Sequence, residues 1–393
     1  MRARPIRSPR RRSSRGLSLI EILVGVAIGL IGVVAIFQAV AVWTKHTQST
    51  SSGGDAQVAG TLALFNIERD LKQAGHGFGK ASMPVMGCTV AMSRAPFSFR
   101  LRPVEIAASA GGAPDRINVL YGDSSFFVDE ATVTDSSAIS KTLKRRNGFK
   151  LGDLAVVAVN AAASAATASC QLIEVTDDLN PDGVSIGHTD VPYASFYQAA
   201  SSPLVAPRFN DPASAPLANT GTMYNLGPRP VLNSWSILGN RVLTRSELLQ
   251  VEATPVAQIA EGVINLKAEY GYDTNNNGQI DDSPGNAEWV TALPAGADWR
   301  RVLAVRVAIL VRSRQFERSA DPGASAAFAV TPSASNPYYF GDPVNRKFLM
   351  TNVSGSTDSF GDNNPDPNNW RYYRYRVYER VIPLRNLLWG TLS

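Results

Sequence analysis

The feature that most constrains this chain is an uninterrupted apolar stretch near its amino terminus. From Ile22 to Val42 there is no charged residue, and Gln38 is the one side-chain amide. About 20 such residues span the hydrocarbon core of a bilayer as a helix, although a helix buried in a protein core gives the same pattern. The arginines before the stretch and the change to polar residues at Thr44 favour the membrane. Trp43 lies where an interfacial aromatic anchor is expected.

The positive charge of the chain is concentrated before this stretch. Residues 1–16 hold seven arginines and no acid, and without them the formal net charge falls from +5 to −2, with 31 basic and 33 acidic residues. A basic segment of this kind keeps its end of the chain on the cytoplasmic side of a membrane. Because the remaining chain has no basic patch that could bind phosphates, we expect no nucleic-acid partner.

One acid, Glu21, lies just inside the apolar stretch. A lone carboxylate costs a few kcal/mol at a bilayer centre, which makes it a functional candidate. A secretory signal has a shorter apolar core with its cleavage site after that core. Here Gly16 precedes the apolar residues, so we expect cleavage between Gly16 and Leu17, which leaves the apolar helix on the mature protein.

The string GLSLIEILVGVAIGLIGVVAIFQAV, which begins at Gly16, resembles the class III signal of type IV pilins and type II secretion pseudopilins. The resemblance implies that a prepilin peptidase cuts after Gly16 and methylates the amino group of Leu17. Glu21 then becomes the fifth mature residue, and it would set the register between subunits by meeting the amino terminus of a neighbour. Leu17 replaces the more usual Phe or Met, and the proline that many major pilins carry midway along this helix is missing.

Later blocks resemble PilW-type minor pilins in the same order along the chain. They are IERDLKQAGHGFG, LGDLAVVAVN, SCQLIEVTD, IAEGVINLKAEYGYDTNNNGQIDD, DWRRVLAVRVAILVRS and YRYRVYERVIPLRNLLW, while residues 185–245 and 319–370 match poorly. The resemblance implies a minor pilin that primes type IV pilus assembly at the inner membrane and caps the tip. Its partners would be other minor pilins, the major pilin, the prepilin peptidase and the inner-membrane assembly machinery. A minor pseudopilin of type II secretion and a tip adhesin are the alternatives.

The resemblance and the residue pattern together predict an α+β fold of the type IV pilin kind, with a long amino-terminal helix on an antiparallel β-sheet head. The expected segments are a cytoplasmic leader (1–16), a transmembrane or filament-core helix (17–43), an amphipathic second half of the helix (44–75) and a periplasmic head (76–393). In the second half, Val58, Leu62, Phe65 and Ala74 fall near one helical face, with Ile67 and Leu71 alongside. Gly53 and Gly54 indicate a hinge.

Six β-branched runs in the head are candidate strands, at residues 116–121, 154–159, 171–176, 263–272, 302–311 and 374–381. In the fifth run the odd-numbered positions are uniformly apolar, so one face of that strand is expected to be buried. Residues 192–230 and 319–370 are rich in Pro, Ala, Ser and Asn, which favours long surface loops.

The chain has two cysteines, Cys88 and Cys170. If the head is exported, its compartment is oxidising and the two can form a disulfide, which we expect. Two buried free thiols are the alternative.

One segment has the beginning of a calcium loop. Oxygen side chains at Asp273, Asn275, Asn277 and Asp281 have the required spacing, the main-chain carbonyl of Gln279 is a further candidate ligand, and Gly278 permits the sharp turn. The twelfth loop position is Pro284 where an acid is expected, although Asp282 or Glu288 could substitute. An Asn- and Gly-rich turn between two strands explains the same residues without a metal.

Nothing in the sequence indicates catalysis. The three histidines, His46, His76 and His188, have no cysteine nearby and no metal-ligand spacing, and no nucleophile or phosphate-loop motif is present. A membrane-tethered enzyme is therefore the weakest alternative, and we expect no required cofactor. The carboxy-terminal aromatic cluster is either an adhesive surface or divided between core and sheet face; its members are Trp370, Tyr372, Tyr373, Tyr375 and Tyr378.

Overall fold

A computed structural model describes residues 18–81, 85–91, 98–125, 130–145, 148–159, 169–178, 184–210, 220–239, 241–249, 256–283, 286–316, 336–353 and 368–391. The chain forms two compact units, Met1–Ser52 and Gly53–Ser393. Gly16, Leu17 and Pro284, to which the sequence assigns roles, lie outside the described residues.

Helix α1 covers Leu19–Gln73. The segment around Gly53 and Gly54 is helical, and the boundary between the two compact units falls immediately before Gly53, so the hinge there stays a prediction. The helix ends two residues before Gly75, which has a φ of +80° and donates its N–H to the Leu120 carbonyl at 2.9 Å. A positive φ is a common helix-stop conformation that glycine adopts without strain. A second, short helix, α2, covers Arg385–Thr391.

The head is built from strands. In chain order they are β1 (Thr89–Ala91), β2 (Phe99–Arg100), β3 (Val104–Ala107), β4 (Arg116–Tyr121), β5 (Ala131–Ser136), β6 (Ser140–Leu143), β7 (Leu154–Val159), β8 (Ser169–Glu174), β9 (Asp177–Asp178), β10 (Ser185–Gly187), β11 (Gly221–Gly227), β12 (Val231–Leu238), β13 (Val242–Glu247), β14 (Val256–Glu261), β15 (Val263–Tyr272), β16 (Asp282–Ser283), β17 (Asn286–Ala287), β18 (Trp289–Val290), β19 (Val302–Arg312) and β20 (Tyr375–Pro383).

These strands form four sheets. The orders are β2-β1-β8-β7-β11-β5-β6-β10-β9, β14-β13-β12-β4-β3, β18-β15-β19-β20 and β16-β17. All pairs are antiparallel except β1 with β8, which run parallel. The α+β class with a long amino-terminal helix is therefore confirmed.

Each of the six predicted runs corresponds to an observed strand. The bounds of β4, β7 and β15 are those predicted, and β8, β19 and β20 differ by one or two residues. The prediction of loops throughout 192–230 was wrong at Gly221–Gly227, because β11 lies between β7 and β5 in the nine-stranded sheet.

Three apolar clusters hold the head together. The largest joins the second half of α1 to strands of the five-stranded, four-stranded and nine-stranded sheets. A smaller cluster covers the nine-stranded sheet around Val157, Ile173 and Met223, and a third packs Tyr339 and Phe348 on the four-stranded sheet. Since the first and third clusters cover opposite faces of β15 and β19, both faces of β19 are buried rather than one.

A charge on β19 is buried as a consequence. Arg306 donates from Nε to Glu269 Oε2 at 2.8 Å, and its guanidinium lies 4.6 Å from the Trp289 ring centre and 4.3 Å from that of Phe340. Arg346 donates to the other oxygen of Glu269 at 3.0 Å. The ion pairing and aromatic contacts explain how an arginine is accommodated in the core.

Candidate functional site: the exposed surfaces of helix α1

The first half of α1 exposes an apolar surface. Of the described residues, Leu19–Thr44 form one helical span long and apolar enough to cross a membrane, and none of its side chains is buried in the protein. A soluble protein rarely exposes an apolar surface of this extent. This segment is therefore expected to lie in a membrane or against other apolar helices.

Glu21 lies in the first turn of the helix and is exposed. Its Oε2 is 3.4 Å from the main-chain nitrogen of Ser18, which donates to it. A carboxylate near a helix amino terminus is stabilised by the free N–H groups and by the helix dipole. Glu21 is thus placed at the end of the helix that follows the predicted cleavage site, where it could meet a second positive group.

The second half of α1 carries two apolar faces where the sequence suggested one. Ala63, Leu64, Ile67, Leu71 and Ala74 are buried against the sheets. The predicted face is therefore divided: Ile67, Leu71 and Ala74 belong to the buried face, whereas the exposed fraction is 67% for Val58, 47% for Leu62 and 59% for Phe65. The latter three, at spacings of four and three residues, form a stripe on the helix surface that we call the α1 stripe.

A buried carboxylate attaches α1 to the five-stranded sheet. Asp70 Oδ2 accepts hydrogen bonds from Asn233 Nδ2 at 2.7 Å and from Trp235 Nε1 at 3.0 Å, and Oδ1 accepts one from the Tyr121 hydroxyl at 3.4 Å. Burial raises the pKa of Asp70, while the bonds from Asn233 and Trp235 oppose this effect. The sequence suggested only a polar helix position here, because the pattern does not reveal which donors the sheet brings to it.

The carboxy-terminal strand holds α1 on its other side. Glu68 forms ion pairs with Lys72 at 2.6 Å and with Arg380 of β20. Next to this pair, Gly60 lies directly against the Tyr378 ring, since an added Cβ would be 2.3 Å from its Cε2 atom. The side of α1 opposite these contacts is left available, and it includes the α1 stripe.

The predicted disulfide is present. Cys88 and Cys170 are bonded, with a Cα–Cα distance of 6.0 Å and a sequence separation of 82. Both are buried, and Cys170 lies on β8 beside β1 in the parallel pair, with Val90 as its register partner. The disulfide therefore attaches the residues that follow α1 covalently to the nine-stranded sheet.

The candidate calcium loop is folded as a turn whose side-chain oxygens accept main-chain N–H groups. Asp273 accepts from Gly278 N at 2.7 Å and from Asn277 N at 3.2 Å, and Asn275 Oδ1 accepts from Asn277 N at 2.9 Å. Asn277 donates from Nδ2 to Asp281 Oδ2 at 2.9 Å. Gly278 has a φ of +79°, as the sharp turn requires.

Glu288, one of the two acids that the sequence offers in place of the twelfth ligand, closes this loop. Its Oε1 accepts from Thr274 N and Oγ1, both at 2.7 Å, and its Oε2 accepts from Asp281 N at 2.7 Å. The hydrogen bonds from Asp281 and Thr274 lower the pKa of Glu288 to about 2. No group of three or more His, Cys, Asp or Glu with metal-binding geometry occurs among the described residues. The geometry neither supports nor excludes calcium.

His76 and His188 contact other residues of the folded head. His76 Nδ1 lies 3.1 Å from the Gly122 carbonyl. His188 is buried with Nε2 2.9 Å from Lys141 Nζ, and burial together with the nearby Lys141 charge lowers the pKa of His188 to about 3. The side chain of His46 lies outside the part of the chain that is described in detail.

The carboxy-terminal aromatic residues belong mainly to the core. Trp370, Tyr372 and Tyr373 are buried, and Tyr375 and Tyr378 are half-buried. Tyr375 packs with the third cluster and Tyr378 with the first. The five residues therefore do not form a single exposed adhesive surface.

Two family models match the chain. Residues 236–386 match the one described as Type IV Pilus-assembly protein W, and residues 11–37 match the prokaryotic N-terminal methylation motif. No curated protein and no solved structure gives a significant match. The first match covers most of the four-stranded sheet and the candidate calcium loop, and the second covers Gly16, Leu17 and Glu21. The resemblance seen in the sequence is thereby confirmed.

Proposed function

We propose that this chain, a PilW-like type IV pilus protein, works as a minor pilin that primes pilus assembly at the inner membrane and caps the tip of the pilus. Its role in pilus assembly follows from the two family matches. The observation that carries the finer proposal is the apolar span Leu19–Thr44, which is helical, exposed along its length and overlapped by the methylation-motif match at residues 11–37.

The mature protein would keep this helix and use it twice. Before assembly, the helix anchors the protein in the inner membrane as a single pass, with the head in the periplasm. During assembly, the same apolar surface leaves the lipid and packs against the helices of other minor pilins and of the major pilin. Pilus proteins of this kind are structural, and we propose no catalytic activity and no required cofactor.

Processing is the first step to test. Cleavage by the prepilin peptidase between Gly16 and Leu17 would remove the arginine-rich leader and create a methylated amino group on Leu17. Mass spectrometry of the amino-terminal peptide should find a methylated species that begins at Leu17. A mature protein that lacks residues 17–42, or that retains the leader, would contradict the proposal.

Glu21 is proposed to set the register between neighbouring subunits. In an apolar helix bundle its carboxylate needs a positive partner, and the Leu17 amine of an adjacent subunit supplies one. The contact to Ser18 N is local, exposed and long at 3.4 Å, so it does not compete strongly with a second charge.

Two substitutions separate charge pairing from helix capping. Glu21→Gln keeps an oxygen that can accept from Ser18 N but loses the charge, whereas Glu21→Ala loses both. If charge pairing sets the register, both variants should insert into the membrane and be cleaved, yet both should reduce surface pilus number by a similar large factor. Normal piliation in Glu21→Gln would show that the local cap is the only role.

The α1 stripe is proposed to extend the packing surface into the head. Val58, Leu62 and Phe65 are exposed on α1, while the opposite side of this part of the helix is fixed to the sheets. Replacing Leu62 and Phe65 with Ser should reduce pilus number with little effect on the folding of the head. As a matched control, Leu204→Ser removes another exposed apolar side chain that lies outside α1.

The main alternative is that the chain belongs to the pseudopilus of a type II secretion system, which would use the same amino-terminal helix. Deletion of the gene separates the two. We expect loss of pili and of twitching movement with normal protein secretion, whereas the alternative predicts a secretion defect with normal pili. A tip adhesin predicts normal pilus number with loss of attachment when the head is deleted.

Calcium binding at the loop formed by Asp273, Asn275, Asn277, Gln279 and Asp281 stays a separate prediction. Calorimetry of the full chain in detergent, with and without a calcium chelator, tests it. Heat of calcium binding that disappears in Asp281→Asn would support a site there. Absence of binding heat in the wild-type protein would refute the prediction.

A further inference from the structure

Strand β20 forms an edge of the four-stranded sheet. It pairs with β19 along its whole length, from Tyr375 opposite Arg312 to Pro383 opposite Ala304. Within the described part of the chain, no strand pairs with its other edge. The strand has nine residues, which is long for an unpaired edge.

The register shows which main-chain groups face outward. Ser313 N donates to the Arg374 carbonyl at 2.8 Å, and Leu384 N donates to the Leu303 carbonyl at 3.0 Å. Because antiparallel strands alternate between residues that bond to the partner and residues that do not, the even-numbered residues of β20 bond to β19. The N–H and C=O groups of Val377, Glu379 and Val381 therefore point away from the sheet.

Two features agree with this assignment. Pro383 has no N–H, and it occupies one of the outward positions, where none is needed for the β19 ladder. The residues from Glu379 to Val381 are exposed, and the exposed fraction of Val381 is 56%. An edge with these properties is a template for the addition of another strand.

A pocket adjoins the same edge. It has a volume of about 660 Å³, and Val377 and Glu379 of β20 form one wall. The other wall comes from the segment between residues 336 and 347, in which Tyr338 forms an antiparallel bridge with Lys347. Phe340 N donates to Glu379 Oε1 at 2.6 Å and fastens this wall to β20.

The chemistry of the pocket is apolar with one cation at its rim. The lining residues besides the two of β20 are Asn336, Pro337, Tyr338, Gly341, Pro343 and Lys347. Lys347 is exposed, whereas the carboxylate of Glu379 already accepts the Phe340 N–H. The pocket therefore suits an apolar or aromatic side chain, and the excess of positive charge along this edge, from Lys347, Arg374 and Arg376 against Glu379, favours an acid beside that side chain.

We infer that β20 accepts an extended segment of a partner protein as a fifth strand of this sheet, with one apolar side chain of that segment in the adjoining pocket. Main-chain hydrogen bonds to Val377, Glu379 and Val381 supply affinity, and the pocket supplies selectivity. The partner segment alternates apolar and polar residues and carries an acid that can meet Lys347.

A second copy of this chain is a poorer occupant. Each β20 carries Arg376 and Arg380, and Arg374 precedes it. Side-by-side pairing of two such strands brings like charges together, which is destabilising. This surface is separate from the apolar span and the α1 stripe, so the inference does not rest on the proposed function.

The test uses the full chain in detergent and a synthetic probe. The probe is a fluorescein-labelled peptide of nine residues that alternates threonine or aspartate with valine and a central phenylalanine. Val381→Pro removes an outward N–H without removing a bond to β19, and Val381→Thr is the matched control. We expect fluorescence anisotropy to show that Val381→Pro weakens peptide binding by about tenfold or more, as loss of main-chain pairing predicts, while Val381→Thr binds as the wild type does.

Hydrogen exchange locates the contact. The amides of residues 377, 379 and 381 should exchange rapidly without peptide and slowly with it, while those of 376, 378 and 380 should be protected in both states. Peptide binding that is equal in Val381→Pro, or absent in the wild type at about 1 mM, would overturn the inference. A dimer in sedimentation experiments that Val381→Pro abolishes would also overturn it, in favour of self-pairing.

Discussion

The contact between Gly60 and Tyr378 provides a quantitative test of how α1 is seated on the head. An alanine Cβ at position 60 would lie 2.3 Å from Tyr378 Cε2, 2.6 Å from Cδ2 and 2.8 Å from Cζ. All three distances are shorter than real Cβ contacts, so the ring or the helix must move. Such overpacking costs about 1–3 kcal/mol.

Helix propensity acts in the opposite direction. Replacing a glycine inside a helix with alanine stabilises the helix by about 1 kcal/mol. Because the steric cost is the larger effect, Gly60→Ala should lower the free energy of unfolding by about 1 kcal/mol. Gly54→Ala is the matched control, since Gly54 lies on the same helix with nothing within 4 Å of an added Cβ. The control should keep or raise the free energy of unfolding.

Urea denaturation of the full chain in detergent, followed by tryptophan fluorescence, measures both variants. A third variant, Gly60→Ala combined with Tyr378→Ala, removes the ring and should show no further loss from the alanine at position 60 when compared with Tyr378→Ala alone. If Gly60→Ala is as stable as Gly54→Ala, the close packing of α1 on β20 is refuted.

Three further predictions concern the same head. Asp70→Ala should lower the free energy of unfolding by about 3 kcal/mol in the same assay, because the Trp235 and Asn233 donors lose their acceptor in the core; an effect below that of an exposed Asp→Ala change would contradict the anchoring role. Replacing both Cys88 and Cys170 with Ala should lower it by about 4 kcal/mol, as expected for release of a loop of this size, and the wild-type protein in reductant should behave as the double variant does. Since the pKa of Glu288 is depressed to about 2, its contribution to stability is complete above pH 4.5 and is lost as the pH falls toward 2; Glu288→Gln should therefore differ from the wild type most above pH 4.5, and parallel pH profiles would refute this.

The sequence predicts the fold best where the periodicity of apolar residues is compatible with only one type of secondary structure. The run from Val263 to Tyr272 alternates apolar residues with Asn265, Lys267 and Glu269, which is typical of a strand, and its bounds were predicted correctly. The strand Gly221–Gly227 was missed, because a Gly- and Asn-containing segment becomes a strand only through its pairing with β7 and β5. Such pairing depends on residues far away in the chain.

The candidate site likewise has some features that could be predicted from the sequence and others that could not. The apolar span and Glu21 could be recognised from the sequence, because membrane insertion depends on local composition. The α1 stripe could not be separated from the buried face, since both are apolar at helical spacing and only the position of the sheets distinguishes them. The burial of Asp70 was not predicted from the sequence. Its three hydrogen-bond donors come from β4 and β12, and the residues around position 70 do not show that these strands pack against the helix.

The attachment of β20 to α1 has a consequence for how the protein is made. Glu68 and Arg380 are 312 residues apart in sequence, and so are Ala74 and Asn386, which bonds to it. The helix is therefore synthesised long before one of the strands that support it. Contacts between distant parts of a chain form slowly. A chain that stops before residue 375 would therefore contain the whole of α1 but none of the contacts that β20 makes with it.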